Sequence, residues 1–72
     1  MADLAQTVGE NVRRIRMATG RSQEAWAAEL GIHRTYLSAV ERGVKNLTLR
    51  SVERLADKIG VPAERLLTEL IE

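Results

Sequence analysis

Seventy-two residues are enough for one domain, 1–72, and too few for two. The absence of cysteine excludes a disulfide framework and any thiolate metal site, and the single histidine, His33, cannot hold a metal alone; no cofactor is expected. The formal net charge of +1 is unevenly spread: residues 1–32 carry four basic and four acidic side chains, 33–56 five and two, and 57–72 two and four.

In chain order the elements read as helices. Asp3 and Gln6 fit a capping box, after which Leu4, Val8, Val12 and Ile15 recur at helical spacing as far as Gly20. Ser22 is a good N-cap for a second helix, Gln23 to Leu30, ended by Gly31. A third runs from Arg34 to Arg42 and stops at Gly43. Thr48 caps a fourth, in which Leu49, Val52, Leu55, Ala56 and Ile59 make one apolar face before Gly60. Pro62 suits the first turn of a fifth, 62–71, with a stripe of Leu66, Leu67, Leu70 and Ile71. Short helices with glycine-ended joints predict an all-α, compact five-helix bundle.

Within 23–42, Trp26, Leu30, Ile32, Leu37 and Val40 form the inner side of two helices. Ala27 is small where two steeply crossed backbones come closest, and Gly31 permits the abrupt turn between them. Arg34, Thr35, Ser38 and Arg42 are left on the outer side of helix three, where a bundle has no structural use for them. A helix with a polar, basic outer face fits the major groove of DNA. The middle of the chain, at +3 by the counts above, can attract phosphate although the whole is nearly neutral, because screening confines each charge to about 8–10 Å. An ordinary solvated face would give the same counts.

The run Ser22-Gln23-Glu24, Trp26-Ala27, Leu30-Gly31-Ile32, Tyr36-Leu37-Ser38 and Glu41-Arg42-Gly43 resembles the Cro and phage-repressor (XRE-like) helix-turn-helix family. The resemblance extends from Val8 to Leu70. Arg34-Thr35-Tyr36-Leu37-Ser38, Glu41-Arg42-Gly43 and Asn46-Leu47-Thr48-Leu49 are most similar to the controller proteins of restriction-modification systems. The chain departs from the family at Trp26, where leucine is commoner, and at His33, where a small polar residue usually begins the helix.

The resemblance implies that Arg34 and Thr35 lie nearest the base edges, with Ser38 one turn on. Arginine pairs bidentately with guanine, and threonine offers a hydroxyl and a methyl group. Ala39 could meet a thymine methyl or be helix filler. Gln23, at the positive end of helix two, is expected to meet a phosphate. Tyr36, Arg42, Lys45 and Asn46 are expected to grip the backbone and set register, although Tyr36 would serve equally as half-buried packing. Arg16 and Glu41 resemble the family's interhelical ion pair. Trp26 reads as core.

On helix five, Leu66, Leu67, Leu70 and Ile71 offer more apolar surface than a small bundle covers, which points to a homodimer interface at Leu67, Leu70 and Ile71. Leu66 and Leu70 are expected partly to finish the monomer core. No acid-base pair, activated nucleophile or phosphate-binding glycine loop is present, so an enzyme is not expected. No leader and no apolar run of membrane-spanning length appears, and the chain reads as cytoplasmic, with neither a membrane nor a small-molecule ligand as partner. The expected function is a homodimeric transcription regulator on palindromic double-stranded operator DNA, and the resemblance to controller proteins implies control of its own promoter and of a neighbouring endonuclease gene. The alternative is an antitoxin or other protein-interaction module on the same fold, which would be expected to expose apolar anchors on helix three.

Overall fold

The computed structural model describes residues 3–69, and among these the chain is helical with no strand. The order is α1 (Leu4–Thr19), α2 (Gln23–Leu30), α3 (Arg34–Glu41), α4 (Leu49–Ile59) and α5 (Glu64–Leu67). Three N-caps use side chains identified above: Asp3 Oδ1 accepts the Gln6 amide at 2.8 Å, and Ser22 and Thr48 hydroxyls accept the Ala25 and Ser51 amides, each at 3.1 Å. His33 caps α3 with no side-chain bond, consistent with imidazole being a poor substitute for a hydroxyl or carboxylate there. Arg42 is the C-cap of α3 rather than its last residue, a difference within the fraying of helix ends.

One core joins α1 to α4 with α5. Val8, Val12, Leu37, Val52 and Leu66 have no exposed surface, and Trp26, Ala27, Val40, Leu55 and Ala56 are buried beside them. The stripe periodicity therefore holds for the middle of each helix. Leu4 and Leu49, assigned above to apolar faces, are instead 50% and 61% exposed. Both occupy the first helical position, and helical side chains lean toward the N-terminus, so they project past the end of the element that their stripe packs against.

Gly9 corrects the expectation that glycines in this chain end helices. It is buried in the middle of α1, where a Cβ would lie well inside van der Waals contact of the Val40 carbonyl oxygen and 3.0 Å from that of Glu41. Its missing side chain lets α1 and α3 touch backbone to backbone.

The fifth helix is shorter than 62–71. At its start, the Arg65 and Leu66 amides bond back to the Pro62 and Ala63 carbonyls, both at 2.9 Å. These are the i to i−3 links of a tighter turn, so Pro62 stands outside the α-helix. After Leu67 the chain becomes extended at Thr68 (φ −92°, ψ 125°), and buried Asn11 donates Nδ2 to the Leu66 and Thr68 carbonyls, each at 2.9 Å. A side-chain amide brought in by the tertiary fold thus takes acceptors that a longer helix would use itself.

Candidate nucleic-acid interface

The approach of α2 to α3 is set at Gly31. Its φ of +74° is open to glycine at little cost, and its amide returns to the Ala27 and Ala28 carbonyls while the Ile32 amide bonds Ala27 O at 3.0 Å. The chain turns through Ile32 and His33 and enters α3. Leu37 and Val40 fasten α3 to the core with 0% and 1% exposure, which forces the residues between them outward. Arg34, Ser38 and Arg42 follow one another at four-residue intervals, with Thr35 beside them. Together with Gln23 from the start of α2, these four side chains line one shallow, open depression. Arg34, Thr35 and Arg42 are exposed; Ser38 is half-buried.

Behind this surface lies a polar cluster that holds three helices. Arg16 donates Nε to Glu41 Oε2 at 2.7 Å and Nη2 to Glu41 Oε1 at 2.9 Å, while its Nη1 reaches the Arg21 carbonyl at 2.9 Å. The side chains are 11% and 3% exposed. Hydrogen bonding to Glu41, which outweighs the opposing effect of burial, raises the Arg16 pKa above its ordinary value, so the guanidinium stays charged. Gln23 Nε2 also donates to Glu41 Oε1, at 3.1 Å. The free protein therefore tethers Gln23 to the ion pair, while the first amides of α2 stay at an exposed helix N-terminus, where an anion is favoured.

The remaining residues singled out in the sequence are placed apart from the depression. Tyr36 is half-buried against the core, with Lys45 Nζ 5.4 Å from its ring centroid, inside cation–π range. Lys45 and Asn46 are exposed in the loop between α3 and α4. His33 is exposed at the turn, and Trp26 is core at 3% exposure. Of the apolar residues on the fifth element, Leu66 is fully buried and Leu67 packs partly on the core. Leu70 and Ile71 lie outside the described residues. No helix among the described residues is long and apolar enough to cross a membrane.

Sequence reasoning did not find the bond from Gln23 to Glu41, nor Asn11. A signal for Asn11 was present: it shares the α1 stripe with Val8, Val12 and Ile15, and a polar residue on an apolar stripe requires a partner. The Gln23 contact had none, because it depends on how α2 and α3 are crossed.

A helix-turn-helix family model matches residues 12–66. The chain is 42% identical over 60 residues to Control protein C.BamHI of Bacillus amyloliquefaciens, an alignment covering 82% of this chain and 74% of that one. Among solved structures, the hypothetical transcription factor NHTF from Neisseria superposes with a TM-score of 0.80 at 42% identity, over 93% of this chain and 77% of that one. The restriction-modification controller protein C.Esp1396I, solved as a tetramer in complex with its natural 35 base-pair operator, superposes with a TM-score of 0.71 at 28% identity, over 94% and 100%. Other structures of that controller carry substitutions at an arginine, a threonine and a tyrosine that are consecutive in its chain.

Proposed function

This chain belongs to the helix-turn-helix family, and from that premise we propose that it is a DNA-binding transcription regulator, occupying a palindromic operator as a homodimer and controlling a restriction-modification system. The observation that carries this reading is the outward-facing stripe of Arg34, Thr35, Ser38 and Arg42, which lines the same depression as Gln23 on a helix whose Leu37 and Val40 are given to the core. A helix of this kind enters the major groove with its first residues toward the bases.

Arg34, Thr35 and Ser38 then read base edges. Gln23, Tyr36, Arg42, Lys45 and Asn46 hold phosphates and carry no sequence information themselves. Support for Arg34 and Thr35 in the first group and Tyr36 in the second comes from the controller named above, whose substituted arginine, threonine and tyrosine have the same order as Arg34-Thr35-Tyr36. The polar outer face of α3 also favours DNA over a docked protein, which would need apolar anchors there.

Residues 1–72 act as one DNA-binding domain, and Leu67, Leu70 and Ile71 join two copies. Four protomers on 35 base pairs share about 30 Å of duplex each at roughly 3.4 Å per step, and this protomer's longest dimension is 31 Å. The protein works in the cytoplasm by occupancy rather than catalysis, and its concentration sets the response.

Footprinting across the chain's own promoter tests the reading. The expected result is protection of two half-sites about one helical turn apart, roughly 34–36 Å. Absence of any protected site at protein concentrations that saturate non-specific binding would refute autoregulation.

A further inference from the structure

A second basic surface adjoins the contacts assigned so far and shares only Tyr36 with them. Between the α2–α3 turn and α4 runs an open groove with Ile32, Leu55 and the Tyr36 ring on its floor and His33, Arg54 and Lys58 on its rim. Every charged side chain lining it is basic, although the whole chain carries only +1. Arg54 and Lys58 lie four residues apart on α4, which puts them on one face of that helix. The ion pairs among the described residues, Arg16–Glu41 and Arg21–Glu29, use neither of them. Lys58 Nζ reaches to 4.0 Å from where a Cβ on Gly31 would sit, so the stripe stands beside the last turn of α2.

We infer that Arg54 and Lys58 hold the phosphate backbone of the DNA strand opposite the one met by Gln23. This rests on the DNA-binding reading above. The geometric reason is their position about the first turn of α3: Gln23 shares a depression with Arg34 and Thr35, whereas Arg54 and Lys58 share a separate groove with His33 and Tyr36. A helix that enters the major groove has one strand on each side of it. Gln23 stands toward one of these strands, and Arg54 with Lys58 toward the other.

The groove is also continuous with the DNA-facing surface. His33 and Tyr36 on its wall belong to the cap and first turn of α3, and Arg34 and Thr35 in the same turn face the depression described above. Clamping both strands fixes the roll of α3 about its own axis, which a one-sided grip leaves free. Arg54 and Lys58 are therefore positioning residues for base reading as well as sources of affinity.

The test is the salt dependence of binding to a random-sequence DNA duplex, measured by fluorescence anisotropy on the full chain between about 50 and 200 mM salt. Arg54→Gln/Lys58→Gln should flatten the slope of log K against log salt by nearly two, about 0.9 for each lost phosphate contact. Arg65→Gln, on α5, should leave it unchanged. Both variants replace exposed helical residues by a good helix former and should melt with the parent.

An unchanged slope in the double variant would overturn the inference while leaving the DNA-binding reading intact. A fall in melting temperature with an unchanged slope would overturn it too, and would make Lys58 a cap on α2. An unchanged slope with loss of binding to polyglutamate would assign the groove to an acidic polypeptide. If the parent chain binds no duplex at all, the function proposed above fails first and this inference with it.

Discussion

Arg34 and Arg42 illustrate how two identical side chains on one stripe are assigned different work. Arg34 sits on the first turn of α3, proposed to face the base edges, and Arg42 caps the helix at its other end, proposed to face the phosphate backbone. Arg34→Ala should cost about 1–3 kcal/mol on the preferred site and relax selectivity at one base position. Arg42→Ala should weaken all duplexes alike and reduce the salt slope by about one. Competition binding against a panel of single-base operator variants separates the two outcomes, and an unchanged selectivity profile for Arg34→Ala would remove it from base reading. Gly9 acts through a side chain it lacks. Alanine there would gain about 1 kcal/mol of helix propensity, yet its Cβ would press into the Val40 carbonyl and push α1 from α3. Overpacking of this kind costs about 1–3 kcal/mol, and the atom in the way is backbone that cannot rotate aside. Gly9→Ala should therefore lower the melting temperature despite the better helix former.

Among the elements, α2 and its turn were legible from Ser22, Gln23 to Leu30 and Gly31, because a hydroxyl cap and a left-handed glycine are local devices with local consequences. The fifth element was not. Its apolar repeat continues to Ile71, but its helix stops at Leu67 because Asn11, more than fifty residues earlier, takes the carbonyls of Leu66 and Thr68. Only the folded chain brings that amide within reach. The same limit applies at the candidate site: the outer stripe of α3 followed from spacing, whereas the tether from Gln23 to Glu41 follows from a crossing that spacing does not encode. Asn11→Ala would leave two carbonyls without their amide, at about 1–3 kcal/mol for a buried acceptor. Hydrogen exchange should then register the loss first at the Arg65 to Thr68 amides, ahead of those in α1 and α3. Uniform loss throughout the chain would mean that α5 is not separately held by Asn11.

The whole molecule distributes charge in a way that its total conceals. Arg34 and Arg42 face one depression, Arg54 and Lys58 another beside it, and acidic side chains gather toward the end of the chain. A single protomer measures 31 Å at its longest and falls short of two half-sites about 34–36 Å apart, so a palindrome requires two copies. If Leu67, Leu70 and Ile71 join them, Ile71→Asp should yield monomers at micromolar concentration in sedimentation experiments, and an intact dimer would place the interface elsewhere. Paired half-sites are therefore the central claim, since they combine base reading by α3 with association of two chains. Selection of bound sequences from a random DNA pool tests it most directly. The account predicts enrichment of two inverted half-sites with centres one helical turn apart, and an enriched sequence without inverted symmetry, or no enrichment, would contradict it.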